Sequence, residues 1–294
     1  MESLLLYVLV YGILIGTYYA FMALGLNLIF GVMRIINLTH GDMIMLAAYF
    51  AEILFAQFHL SPIFSLILVF PLFFVLGLAI YYLFVPRLMK SKDPEMNSFI
   101  LFFGLSMVIE SAVFIVFGAS YRSLNVNFLP VTYFTIFGYS VPAVIVFMFS
   151  VSLLLLLLTY YYLFHTRLGK ATRALMDNRE LAMSFGINPS KALVMAFSYA
   201  VAVTGVAGVL SPYVFGAIYP SEGSLITVLA FVIIIIGALG NPLGSIFGGL
   251  IYGVAISLVE IYIPELSYVI SFLLVIVIII FRPNGLLGGR TREL

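Results

Sequence analysis

The chain has 294 residues and a formal net charge of +1, with 64% of its residues hydrophobic and only 9% charged. Soluble domains carry about 25% charged residues, so a soluble globule is excluded, and the near-neutral balance gives no case for nucleic acid. Cysteine is absent, which rules out disulfides, thiol chemistry and any cysteine-ligated zinc or iron–sulfur site.

Residues 4–33, 62–86, 139–164, 192–221 and 223–259 each lack a charged side chain. A helix needs ~20 apolar residues to cross the hydrocarbon layer. Within lipid, only helices and closed barrels satisfy every backbone polar group. These runs are continuous rather than alternating, so helices are predicted. The opening MESLLLYVLVYG has no basic n-region, and its apolar stretch runs on too far for a cleaved signal. It reads as a first permanent span.

The predicted spans are 4–33, 41–58, 62–86, 98–118, 139–164, 192–216, 223–240, 243–260 and 266–282. The fold class is therefore all-α, a polytopic transmembrane bundle of about nine crossings. One transmembrane domain is expected to occupy residues 1–294. The run 223–259 exceeds a single crossing at ~1.5 Å per residue. It must break, and Gly240-Asn241-Pro242 is the place where backbone chemistry allows it.

The first polar interruption is Arg34-Ile-Ile-Asn37-Leu-Thr39-His40-Gly41-Asp42. Polar groups at membrane depth are costly and usually face a cavity or partner. Asn37, Thr39, His40, Gly41 and Asp42 are candidates for a translocation pathway. Equally, the stretch reads as a cytoplasmic turn with Asn37 or Thr39 as a helix cap. No second His or Cys stands at ligand spacing from His40, so no metal site is expected. Within the fourth span, Glu110 reads as a proton-coupling or helix-pairing group, or as a protonated side chain near the outer edge.

Residues 165–191 form the longest and most basic polar stretch. Asp177 and Glu180 are spaced as a capping box, which predicts a short helix over 178–185. Gly186 is placed to end it in a left-handed conformation. Asn188 caps the next span, with Pro189 in its first turn. Upstream, Leu168, Ala171 and Leu175 make a narrow apolar stripe. A capped helix at the inner surface favours protein docking over a merely solvated loop.

The second interruption is Gly240-Asn241-Pro242-Leu243-Gly244-Ser245. It lines a cavity, with Asn241 and Ser245 as pathway candidates, or it is an ordinary turn between helices. In this topology both interruptions face the cytoplasm. Small residues recur at four-residue spacing: Gly12, Gly16 and Ala20; Gly240, Gly244 and Gly248; Gly249 and Gly253. Such rows let helices approach closely in lipid. No phosphate-binding GxxxxGK[ST] occurs, so this chain is not expected to bind a nucleotide by that route.

The charges test the division. With the N-terminus outside, all 13 basic residues except Arg122 fall on inner segments, while Glu2, Glu52, Glu222, Glu260 and Glu265 fall outside. Basic residues accumulate on the cytoplasmic side, so the N-terminus is expected outside and the C-terminus inside.

Four ordered stretches then resemble the branched-chain amino-acid permease family of ABC importers. GLNLIFGVMRIINLTHGDMIMLAAY (25–49) is similar to the family's N-terminal signature. GKATRALMDNRELAMSFGIN (169–188) is similar to its ATPase-docking loop. GALGNPLGSIFGGLIYGVAISLVE (237–260) and FRPNGLLG (281–288) are similar to its C-terminal signatures. Leu38-Thr39-His40 and Asn241-Pro242 depart from the common pattern, which bears on the solute rather than on membership.

The resemblance implies a bacterial inner-membrane permease similar in fold to the vitamin B12 and sugar importers. It implies two partner ATPases, a second homologous permease and an external solute-binding protein. The coupling residues it implies are Gly169, Arg173, Asp177, Glu180, Gly186 and Asn188. No cofactor and no covalent chemistry in this chain are expected. The expected solute is leucine, isoleucine, valine or another small apolar amino acid, since the pathway candidates are neutral dipoles and Met43 and Met45 offer adaptable apolar surface. Relatives carrying urea or short amides supply one alternative. A stand-alone secondary transporter, with Glu110 or Asp42 coupling ions, is another. A membrane-embedded enzyme lacks any paired acid–base or metal constellation.

Overall fold

A computed structural model describes residues 2–124 and 129–288. The helices in chain order are α1 (Glu2–Met33), α2 (His40–Phe58), α3 (Pro62–Leu88) and α4 (Pro94–Phe117). A hairpin of β1 (Tyr133–Ile136) and β2 (Tyr139–Pro142) follows. Then come α5 (Ala143–His165), α6 (Arg167–Asp177), α7 (Arg179–Ser184), α8 (Pro189–Leu210), α9 (Pro212–Phe215), α10 (Glu222–Gly237), α11 (Pro242–Tyr262) and α12 (Ser267–Phe281), with a short 3₁₀ turn at Pro264–Leu266.

Each predicted span coincides with a helix. Seven are long and apolar enough to cross a membrane: Leu5–Met33, His40–Phe58, Pro62–Leu88, Pro94–Phe117, Ala143–His165, Pro189–Phe215 and Pro242–Tyr262. Glu222–Gly237 and Val269–Phe281 are apolar but shorter. The fifth span begins later than expected, because residues 139–142 form β2 rather than helix. β1 and β2 pair antiparallel, with Tyr133 opposite Pro142 and Ile136 opposite Tyr139. Phe137 and Gly138 both take positive φ, 49° and 85°, the conformation that a two-residue hairpin turn demands. The two basic residues Arg290 and Arg292, which support the orientation, lie outside the described residues.

Helix starts follow local chemistry. Proline occupies the first turn of α3, α4, α8 and α11, where its missing N–H leaves no bond unmade. Asp93, Asn188 and Asn241 precede three of these and accept from Met96 N at 3.1 Å, Ser190 N at 3.0 Å and Leu243 N at 3.1 Å.

At the centre lies α8, whose small and β-branched residues from Ala196 through Leu210 are buried save Tyr199. It packs between α1, α2 and α3, while α11 runs along the other side of α1. The predicted small-residue rows make that contact. A β-carbon on Gly12 would stand 2.7 Å from Val254 Cα, and one on Gly253 would stand 2.6 Å from the Gly12 carbonyl oxygen. Gly249 meets Ala20 in the same seam. Close backbone approach of this kind is how helices associate where lipid removes the hydrophobic drive. Outward faces are apolar: Ile115 on α4 is 82% exposed and Ile280 on α12 is 70% exposed. Surfaces of that character belong in hydrocarbon.

Candidate functional site

α1 ends at Met33, and Arg34 turns the chain with φ 52°. Residues beyond it run back along α1. The His40 ring donates through Nε2 to the Met22 carbonyl at 2.9 Å, about three turns before the end of α1, or roughly 16 Å at ~1.5 Å per residue. The first interruption therefore re-enters the bundle. Of the two readings the sequence left open, a surface turn does not fit, because Asn37, Thr39, His40 and Asp42 are buried and α2 starts inside the protein.

The buried start of α2 finds its partners locally and across the bundle. Asn37 Oδ1 accepts from Thr39 N at 3.1 Å and from the Thr39 hydroxyl at 2.7 Å. Thr39 occupies the N-cap position but makes no side-chain cap. Thr227 of α10 does that work instead, accepting from Gly41 N at 2.8 Å. His40 Nδ1 lies 3.4 Å from the Thr204 hydroxyl of α8. Asn37, Thr39, His40 and Asp42 are all essentially inaccessible. Irregular backbone at depth is tolerated only when paired in this way.

The second interruption is held by a residue that the motif reading overlooked. Asn27, buried in α1, donates to the Ala238 carbonyl at 3.2 Å, the Asn241 carbonyl at 2.6 Å and the Ser245 hydroxyl at 2.8 Å. Its Oδ1 accepts from Gly240 N at 2.6 Å. Gly240 has φ 77°, which only glycine adopts readily. Beyond α12, Leu286 N and Leu287 N donate to the Ile236 and Gly237 carbonyls at 3.0 and 2.8 Å. A lone asparagine in an apolar run was the available signal, because such a group must find partners.

The two interruptions stand at opposite ends of α10. Gly41 meets Thr227, while Asn27 holds Ala238, about three turns further and roughly 16 Å along the helix. The predicted pathway residues thus separate into an upper group, Asn37 to Asp42, and a lower pair, Asn241 and Ser245.

A pocket of about 490 Å³ opens at the surface, lined by Glu110, Ser111, Phe114, Ile115, Tyr121 and Tyr219 among others. Nearby in sequence, Arg122 pairs with Glu52 at 3.0 Å and forms a backbone bridge to Ile218.

Residues 165–191 hold α6 and α7. Thr166 caps α6 by accepting from Gly169 N at 2.9 Å, and Gly169 packs on the Tyr162 carbonyl. Arg173 donates to the Leu163 carbonyl at 2.9 Å and lies over the Phe164 ring at 4.1 Å. The face turned inward is Gly169, Thr172 and Leu175, which shares only Leu175 with the expected stripe. Asp177 closes α6 and caps nothing. Asn178 is the cap of α7, accepting from Leu181 N at 2.9 Å, and Glu180 sits exposed in the first turn. The capping-box reading was one residue out of register, since asparagine serves as well as aspartate at that position. Gly186 has φ 80° and its N–H reaches the Met183 carbonyl at 2.9 Å, as expected of a left-handed helix end. Leu181 and Phe185 project outward, Phe185 with 79% of its surface exposed.

The chain as a whole is similar to known transport proteins. A family model described as branched-chain amino acid transport system / permease component matches residues 8–279. The high-affinity branched-chain amino acid transport permease BraD of Pseudomonas aeruginosa is 26% identical, over 95% of this chain and 94% of its own length. LivH of Escherichia coli, another such permease, is 28% identical over 94% of this chain and 93% of its length. LivM of Escherichia coli is 29% identical over 49% of this chain and 34% of its length. No solved structure matches the chain.

Proposed function

The chain belongs to the family of branched-chain amino acid transport system permease components, and we propose that it translocates leucine, isoleucine, valine or a similar small apolar amino acid as the membrane subunit of an ABC importer. The family match over residues 8–279 carries this reading. In it, the N-terminus lies outside and the C-terminus in the cytoplasm of an inner membrane. A second homologous permease completes the pathway. Two ATPases dock on residues 165–191, and an external binding protein delivers the solute.

The exposed apolar residues of α7, held between the Asn178 cap and the Gly186 turn, suit a docking surface. Closure of the ATPases on ATP moves that segment, and the bundle alternates between outward- and inward-facing states. Gly169, Arg173, Asp177, Glu180 and Asn188 shape or flank the segment. Asn37, Thr39, His40, Gly41 and Asp42, with Asn241 and Ser245 below, brace the helices beside the route.

Uptake by the reconstituted complete assembly tests the reading, with labelled leucine and with urea and acetamide as competitors. ATP-dependent leucine uptake is expected. Robust urea transport without leucine transport would overturn the solute and keep the importer. Uptake by this chain alone, driven by an ion gradient, would overturn the importer itself.

A further inference from the structure

A second pocket, of about 350 Å³, opens where three distant parts of the chain meet. Its walls are the end of α1 with Arg34, the residue Met89 beyond α3, and the elbow between α6 and α7. The buried part of the lining is apolar, with Val32, Met33 and Leu175. The exposed part is charged, with Arg34, Arg179, Asp177 and Glu180.

Two charges of each sign thus share one pocket, yet none of them pairs with another. The ion pair found among the described residues is Arg122 with Glu52. Arg179 reaches only the Met89 sulfur, at 3.9 Å, and Asp177, predicted as a cap, caps nothing. Arg34 is the more telling of the two arginines. Its φ of 52° lies in the left-handed region, where glycine or asparagine costs less. Such a backbone persists where something else requires the residue. Within the described residues the Arg34 guanidinium has no hydrogen bond or ion pair that would supply the requirement, so its partner comes from outside the chain.

A simple anion or cation entering the pocket would meet two like charges as well as two opposite ones. A zwitterion meets both pairs favourably, since a carboxylate suits the arginine forks and an ammonium suits Asp177 and Glu180. The volume lies within the usual range for small-molecule sites, ~300–1,000 Å³. Met33, Met89 and Met176 give the apolar lining adaptable shape.

We propose that this elbow pocket binds a zwitterionic amino acid with an apolar side chain from the cytoplasm, and that its occupancy slows transport. The cytoplasmic placement and the kind of amino acid rest on the reading above. The occupant bridges the end of α1 to the elbow and favours the arrangement that holds them together. The lining ends at Glu180, whereas Leu181 and Phe185 project outward. The pocket and the proposed docking surface therefore share α7 without sharing residues, and accumulated solute can act while the ATPases are bound.

Because the chain has no cysteine, Met89→Cys places its single thiol in the pocket. Modification of that thiol is read on this chain, in the complete assembly held in phosphatidylglycerol nanodiscs. Leucine should slow it, whereas 4-methylpentanoate, which lacks the ammonium, and 3-methylbutylamine, which lacks the carboxylate, should not. Arg34→Gln with Arg179→Gln should remove the protection, and either change alone should weaken it if the double variant does not assemble. Leucine sealed with ATP inside vesicles should lower the initial uptake rate by about fivefold or more, and Arg34→Gln should relieve this. No protection, equal protection by a singly charged analogue, or protection that survives loss of both arginines would each overturn the site. A thiol already shielded once phosphatidylethanolamine is included would give the pocket to a lipid headgroup and overturn the amino acid. Protection without slower uptake would overturn the control of transport. Thiol protection needs no turnover, so failure of wild-type leucine uptake would instead overturn the solute reading.

Discussion

Asn27 on α1 and Ser245 on α11 are joined by a 2.8 Å hydrogen bond, Asn27 donating, although 218 positions of sequence separate them. The same asparagine amide also serves Ala238, Gly240 and Asn241. The two residues therefore contribute unequally to one network. Asn27→Ala orphans the Gly240 N–H and thins the supply of donors to two carbonyls, at about 1–3 kcal/mol for a buried group left unpaired. Ser245→Ala removes a single bond, worth about 0.6 kcal/mol between membrane helices. Thermal unfolding of the purified variants should rank Asn27→Ala well below Ser245→Ala. Equal losses would show that the asparagine does not organise the break.

The seam between α1 and α11 predicts opposite responses at two helical glycines. Gly253→Ala drives a methyl against the backbone around Gly12 and Gly16 and should cost at least about 1 kcal/mol, as overpacking does. Gly104→Ala on α4 meets nothing within 4 Å and should be neutral, or stabilising by up to about 1 kcal/mol through helix propensity. Melting temperatures in detergent check both.

Gly186 has open space around it but φ 80°, so its requirement is conformational rather than steric. Gly186→Val forces a β-branched residue into the left-handed region. We expect normal insertion and a loss of solute-stimulated ATP hydrolysis in the purified assembly. Gly186→Asn should retain more activity, because asparagine tolerates that region. Full activity in the valine variant would remove the docking role of this turn.

Phe137, in the hairpin turn, is 77% exposed, and Phe185, at the end of α7, is 79% exposed. Single cysteines at these positions report the proposed orientation. An impermeant thiol reagent added outside intact cells should label Phe137→Cys and spare Phe185→Cys until the membrane is opened. Labelling of both from the outside would defeat the topology.

Much of the bundle was legible because apolar runs, proline starts and glycine stops are local signals. The span ends at Met33 and Phe58, the left-handed Gly186 and the cap at Asn188 all follow from neighbouring residues. What stayed hidden depends on partners distant in sequence. Periodicity cannot say that His40 returns to the level of Met22, because depth is set by Thr204 and Thr227 on other helices. Asn27 looked like one polar residue in an apolar run until the break at Gly240 folded onto it. Asn178 and Asp177 are chemically near-equivalent caps, and only the backbone turn chooses between them. Glu222, counted among the outer acidic residues, is buried at the start of α10, which a charge count does not reveal. The hairpin at Tyr133–Pro142 went unread because its second strand continues directly into the apolar run of α5.

The bonds from Leu286 and Leu287 to the end of α10 impose an order on biogenesis. α10 is synthesised some fifty residues earlier at ~5–20 residues per second, and its last carbonyls wait for a segment the ribosome has yet to make. Until residue 287 has been made, the end of α10 lacks two of its donors. Closure of the end of α10 thereby waits on residues made long after it, so a chain cut short after Phe281 carries its defect at α10 rather than at its own new end.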